Sequence, residues 1–318
     1  MALTTQQQSL IAIKNNIENV IIGKGEVIEQ LIIAMIANGH VLLEDVPGTG
    51  KTVLAKTLAK TVNGEFKRIQ FTPDVLPSDV TGIHFFDPKE QQFELRLGPI
   101  YTNILLADEI NRTTPRTQSS LLEGMEERQV TIDGQTVTLP SPFFVIATQN
   151  PVESQGTFPL PEAQLDRFLM KIRLGYPTFA EEYEVMQRFK ETNPLERIEA
   201  ITEADNIMHM QKEAMSVYID ESVSKYMLSL VRKTREHPKV EVGISPRGTL
   251  ALMRTAQAKA YVSQRAFVTP DDVKAMFPLV GTHRLMLTLD AQLHGTAEDI
   301  IQEITETIEV PVEEVGER

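Results

Sequence analysis

Residues 41–62 run an apolar strand (Val41-Leu42-Leu43) through a glycine-turned loop ending in Pro47-Gly48-Thr49-Gly50. The loop opens on Lys51-Thr52-Val53, and the segment KTVLAKTLAKTV reads as a helix, with Val53, Leu54, Leu58 and Val62 near helical spacing. Strand, glycine turn and helix start, in that order, build a cradle for nucleotide phosphates. Backbone N–H groups and the positive helix end face the anion, Lys51 reaches the β and γ oxygens, and Thr52 holds Mg2+. The strict pattern G-x-x-x-x-G-K-[ST] wants glycine at position 45, where this chain has Asp45. Aspartate tolerates turn geometry better than most residues, and Gly48 and Gly50 remain, so the loop reads as a variant of the pattern.

Composition narrows the setting. A chain of 318 residues accommodates about two domains. With 42% apolar and 24% charged residues it resembles an ordinary soluble globular protein. No apolar run approaches the ~18 residues of a membrane span, and MALTTQQQ lacks the basic-then-apolar pattern of a leader. The absence of cysteine excludes disulfides and thiolate metal sites and fits a reducing compartment, so a cytoplasmic location is expected. The balance of 31 basic and 44 acidic residues, net −13, argues against nucleic acid as the main partner. Much of the excess lies in the tail, where Thr296 and Asp299 form a capping-box pattern ahead of Ile300, Ile301, Ile304 and Ile308 at helical spacing. The six histidines show neither an i/i+4 metal spacing nor H-E-x-x-H, and read as satisfied or surface residues.

Along the chain, strand and helix patterns alternate up to about residue 176, and the remainder reads as helical. Expected strands are 41–43, 66–71, 104–107, 143–148 and 169–174, several of them continuous apolar runs of the kind buried on both faces of a parallel sheet. With helices such as 24–38 and 115–127 between them, the pattern predicts a doubly wound α/β sheet. Two hairpins interrupt it. Ile83–Phe86 and Phe93–Arg96 flank a polar turn, and Val130–Ile132 and Gln135–Val137 flank Asp133-Gly134, a strong two-residue turn signal. Tyr176-Pro177 reads as a hinge, followed by helices with caps at Thr202, Asp220, Ser245 and Thr269. The expected domains are therefore an α/β core, 1–176, and a smaller all-α domain, 177–318.

A phosphate loop calls for an acid at the end of a partner strand, and Ile104-Leu105-Leu106-Ala107-Asp108-Glu109 supplies a pair. Asp108 would order Mg2+ with Thr52 across the β and γ phosphates, and Glu109 can polarise an attacking water, which points to hydrolysis rather than transfer. Asn150, at the end of the next buried strand, would sit between the γ-phosphate and that water. Arg167, before the last strand, would complete the γ-phosphate shell of a neighbouring subunit. Arg247, in the first turn of the Ser245-Pro246 helix, is suited to reporting nucleotide state.

In this order the segments LLEDVPGTGKT, ADEINR, LLEGMEERQVT, ATQNPVESQGTFPLPEAQLDRF and ISPRGTLAL resemble the MoxR family of AAA+ ATPases over nearly the whole chain. The resemblance implies a P-loop NTPase core with a hairpin inserted at its second helix, followed by an all-α lid. It assigns Walker A to Gly48, Gly50, Lys51 and Thr52, and Walker B to Asp108 and Glu109. Sensor 1 falls on Asn150, the arginine finger on Arg167 and sensor 2 on Arg247. Ile22 and Gly23 correspond to the segment packed on adenine. It leaves open whether Arg247 acts in cis or in trans, and whether Arg112 or Arg116 shares the interface role of Arg167. It further implies a hexameric ring with both hairpins at its pore, ATP and Mg2+ as cofactors, a von Willebrand factor A domain protein as partner, and chaperone-like maturation of protein complexes, including metal-cofactor insertion. Two other readings stand beside it: a nucleic-acid-associated AAA+ motor subunit, disfavoured by the acidic balance, and a small-molecule P-loop kinase, disfavoured by the acid pair and the downstream Asn150 and Arg167.

Overall fold

A computed structural model describes residues 5–44, 48–150, 156–190 and 193–311. Asp45 and Pro47 of the phosphate loop, and Glu313, Glu314 and Glu317 of the acidic tail, lie outside the described residues.

The chain opens with α1 (Thr5–Glu18) and α2 (Gly25–Ile36), then β1 (Val41–Glu44), α3 (Lys51–Thr61), β2 (Phe66–Gln70) and α4 (Pro77–Thr81). A hairpin of β3 (Gly82–Asp87) and β4 (Gln92–Leu97) precedes β5 (Ile104–Asp108) and α5 (Pro115–Glu127). A second hairpin, β6 (Gln129–Ile132) and β7 (Gln135–Thr138), leads to β8 (Phe144–Gln149), α6 (Glu162–Leu165) and β9 (Met170–Ile172). There follow α7 (Phe179–Phe189), α8 (Ala204–Met215), α9 (Glu221–Glu236), α10 (Pro246–Val262), α11 (Pro270–Gly281), α12 (Leu289–His294) and α13 (Ala297–Thr307). This last part is not wholly helical, as the sequence suggested: β10 (Val240–Val242) pairs antiparallel with β11 (Met286–Leu287). Strands this short carry too little periodicity to stand out among helices.

All five expected strands form one parallel sheet, in the order β2-β5-β8-β1-β9. The chain leaves β1 towards one side of the sheet and returns to its other side as β9, so β1 stands at a switch point where ligands bind outside strand C-termini. Alternation along the strands sends Val41, Leu43, Leu106 and Ile146 into one core and Leu42, Leu105 and Val145 into the other, which Phe168, just before β9, also joins. The first core also takes in Ile207, Leu230, Leu252, Phe277 and Ile300 from α8, α9, α10, α11 and α13. The C-terminal helices thus share a continuous apolar core with α1, α2 and the sheet. Glu29 on α2 adds ion pairs to Lys14 on α1, at 2.6 Å, and to Lys259 on α10.

Both hairpins stand where the sequence suggested. Asp133 and Gly134 have φ of +47° and +86°, as the central residues of a tight hairpin turn require. At the neck of the other hairpin, a β-carbon on Gly98 would lie 2.3 Å from the Val80 carbonyl oxygen, so only glycine lets the two crossing segments meet. His84 Nδ1 contacts the Asp133 carboxylate at 3.0 Å and links the two hairpins. Phe86 and Phe93 stack edge-to-face at 5.5 Å, exposed to solvent.

His40, at the foot of β1, locks α5 to the sheet. Its Nε2–H donates to the Met125 carbonyl and its Nδ1 accepts from the Val145 N–H, each at 3.0 Å. Burial, helped by the nearby Arg128 guanidinium, holds its pKa well below the ordinary histidine value, and burial with Arg284 does the same for His283. Both are therefore neutral in the fold and gain a proton more readily once unfolded. Their stabilisation is complete above about pH 6.5 and is lost as pH falls below it. The urea midpoint should accordingly drop as pH falls from about 7 to about 5. A His40→Gln/His283→Gln double variant should show a flatter fall, and an unchanged slope would assign the acid sensitivity to other groups.

Candidate active site

The C-terminal ends of β1, β5, β8 and β2 meet at one edge of the sheet. Beyond β1, Gly48 and Gly50 adopt φ of +86° and +90°, where other residues would be strained. Gly50 stands at the N-cap of α3, which puts Lys51, Thr52 and Val53 in the first helical turn. The segment Gly48 to Val53 lines a cavity of about 380 Å3 together with Arg68, Gln70, Asp108, Glu109 and Asn150. Lys51, Thr52, Asp108, Glu109 and Asn150 are thus brought together. This cavity is not the largest: a cleft of about 420 Å3 opens between α1 and α7, but it lacks any glycine loop or acid pair.

The acid pair is held by hydrogen bonds from two neighbouring strands. The Thr148 hydroxyl on β8 donates to Asp108 Oδ1 at 2.6 Å and accepts from the Glu109 N–H at 2.9 Å. Glu109 takes a left-handed backbone, φ +57° and ψ +50°, which ends β5 and turns the chain. On β2, Arg68 Nη2 donates to Asp108 Oδ2 at 2.7 Å, and Gln70 Nε2 donates to Glu109 Oε2 at 2.8 Å. Arg112 Nε lies 3.0 Å from the same Glu109 oxygen. Arg68, Gln70 and Thr148 escaped the sequence reading. The alternation of Arg68 and Gln70 around buried Ile69 was the available signal, since it marks one polar face of an edge strand.

The cavity suits a triphosphate with a divalent ion. Gly48, Gly50 and Lys51 would face the anion, while the Thr52 hydroxyl and the Asp108 carboxylate are hard oxygen donors of the kind magnesium takes. Among the described residues no cluster of three or more His, Cys, Asp or Glu side chains could hold a metal. An ion here would draw its remaining ligands from phosphate and water, as magnesium commonly does. Ile22 and Gly23 do not line this cavity. Gly23, at φ +72°, is exposed and stands beside the Glu181 side chain at the start of α7, where a β-carbon would lie 2.0 Å from Oε1.

Arg167 and Arg247 lie elsewhere. They line a second cavity, of about 500 Å3, that also touches Gly39 and His40 before β1 and the C-terminal end of α5. The geometry joins both arginines to one carboxylate: Glu126 Oε2 lies 3.1 Å from Arg167 Nε, and Glu126 Oε1 accepts from Arg247 Nη1 at 2.9 Å. Arg247 therefore stands beside Arg167, at the opposite end of the sheet from Lys51. Arg112 serves its own Glu109, on the phosphate side. Arg116, exposed in the first turn of α5, lies ten residues before Glu126, or about 15 Å along the helix axis.

Residues 40–170 match the ATPase family associated with various cellular activities (AAA), and residues 232–304 match the AAA lid domain. The Bacillus subtilis protein YeaC is 51% identical over 94% of this chain and 93% of its own length. The chaperone MoxR1 of Mycobacterium tuberculosis is 40% identical, over 93% of this chain and 80% of its own. A crystal structure from Cytophaga hutchinsonii superposes with a TM-score of 0.91 at 38% identity, covering 96% of each chain.

Thr148→Val keeps the side-chain shape but leaves the Glu109 N–H without its acceptor and Asp108 Oδ1 without its donor, while Arg68 still holds Oδ2. It should destabilise the chain by about 1–3 kcal/mol, measured by urea unfolding, and lower phosphate release. Unchanged stability and unchanged turnover would show that the threonine does not anchor the acid pair.

Proposed function

The chain belongs to the MoxR family of AAA+ ATPases and is an ATPase with a chaperone-like role; from that premise we propose that it is a magnesium-dependent, ring-forming motor whose active site is completed by a neighbouring copy. The observation that carries this reading is the separation of the two cavities. Lys51, Thr52, Asp108, Glu109 and Asn150 line one, whereas Arg167 and Arg247 line another at the far end of the sheet. Head-to-tail packing of identical chains brings the second surface of one against the first surface of the next, and closes as a ring. Arg247 then acts in trans beside Arg167.

The roles follow from the chemistry of each group. Lys51 and the loop Pro47 to Val53 bind and orient the triphosphate, and Thr52 and Asp108 hold the magnesium ion. That ion, when bound, neutralises charge on the β and γ oxygens. Glu109 polarises the attacking water, with Asn150 positioning it against the γ-phosphorus. Ile22 and Gly23 form the adenine side. The borrowed guanidinium groups stabilise charge developing in transfer. We assign residues 1–176 to the ATPase core and 177–318 to the lid. The hairpins linked by His84 and Asp133 project at the ring's pore, where exposed Phe86 and Phe93 suit contact with a protein client. A cytoplasmic hexamer working with a von Willebrand factor A domain protein, on client maturation or metal-cofactor insertion, completes the proposal.

Turnover per chain should rise with protein concentration and then level off as rings fill. A rate per chain that stays constant on dilution to monomer would refute the shared site. Lys51→Ala should abolish ATP binding. Glu109→Gln should bind ATP while losing roughly 10²–10⁴-fold in phosphate release, and in ATP should retain a von Willebrand factor A domain partner on affinity capture.

A further inference from the structure

We propose that Glu126 is a positioning residue that holds Arg167 and Arg247 as one preformed pair aimed at a neighbour's triphosphate. The inference rests on the trans reading above and goes beyond it by naming the group that sets the geometry of the two arginines.

The roots of both arginines are tied to one carboxylate. Asp166, immediately before Arg167, accepts from Arg284 Nε at 2.6 Å and from the Ser245 hydroxyl at 3.0 Å. Ser245 also caps α10 through the Gly248 N–H at 3.1 Å, which fixes the helical turn that carries Arg247. Arg284 is buried and donates as well to the carbonyls of Asp166 and Leu169, each at 3.2 Å, and of Phe168 at 2.6 Å. The backbones on either side of the second cavity are therefore fixed relative to each other by a charged hub that is largely out of water.

Glu126 fixes the tips. Each of its oxygens takes one guanidinium, Arg167 through Nε and Arg247 through one terminal nitrogen. Holding Arg167 by Nε leaves both of its terminal amino groups available to a phosphate, and Arg247 retains its other terminal group. The carboxylate thus holds Arg167 from behind without using the terminal donors that a bidentate contact needs, and leaves Arg247 one terminal group for a single contact. It also cancels part of the repulsion between two like charges that would otherwise splay them. The trio keeps a net charge of +1, still attractive to a neighbour's anion. The three side chains are 30–43% exposed, and exposed ion pairs contribute only about 0–1 kcal/mol to folding. Glu126 is thus ill placed to serve stability and well placed to serve aim.

Mixed assemblies provide the test. Lys51→Ala chains supply arginines but no nucleotide, and Arg167→Ala/Arg247→Ala chains supply nucleotide but no arginines. Neither should turn over ATP alone, and the mixture should recover phosphate release. Adding Glu126→Gln to the Lys51→Ala chains should lower the recovered kcat roughly ten- to hundredfold at unchanged KM. Adding it to the arginine-less chains should change nothing. Equal losses from both placements would mark Glu126 as merely structural, and no loss from either would also overturn the proposal. If the unmodified mixture fails to recover activity although both variants assemble, the trans reading itself fails and Glu126 has no pair to aim.

Discussion

Everything in this molecule depends on the seating of β1 between β8 and β9. β1 is paired on both sides as far as Leu43, opposite Thr148 and Ile172, and its last residue, Glu44, still pairs with Gln149. The same ladder aligns the ends of β5 and β8, with Leu106 opposite Ile146 and Ala107 opposite Ala147. Asp108, Glu109 and Asn150 then emerge on the same cavity as Lys51, placed there by the sheet itself. Such preorganisation matters because misplacement by about 1 Å can cost about a hundredfold in rate.

The acid pair is organised more tightly than its position at a strand end requires. Thr148 binds both the Asp108 carboxylate and the Glu109 backbone, while Arg68, Gln70 and Arg112 contact the carboxylate oxygens. The structure thus presents acids already compensated by local donors. An incoming magnesium ion and water would have to replace those contacts, and Arg68 in particular stands where a cation is wanted beside Asp108.

The C-terminal part of the chain is less separate from the sheet than a hinge at Tyr176-Pro177 would make it. Its helices continue the core beneath α1 and α2, and two ionic contacts, Lys259 with Glu29 and Arg284 with Asp166, span the junction. A junction that buries apolar surface and charged pairs together resists independent swinging. It carries Arg247 to the end of the sheet already occupied by Arg167.

Much of this was legible in the chain. The glycine turn, the apolar strand ending in Asp108-Glu109, the Asp133-Gly134 hairpin and the Thr296–Asp299 cap are each written over a few consecutive residues, because local φ/ψ demands and helix caps are satisfied locally. The cap expected at Thr202 moved one residue, to Glu203, as helix ends often do. Sequence alone therefore determined the glycine turn, the acid pair beside it and the run of strands that carries them. Only the tertiary structure decided that Arg68 and Gln70 face the acids, that Glu126 joins Arg167 to Arg247, and that this pair stands away from Lys51. Those relations link residues up to 121 positions apart, and they are set by how helices pack on a twisted sheet, which no local pattern encodes.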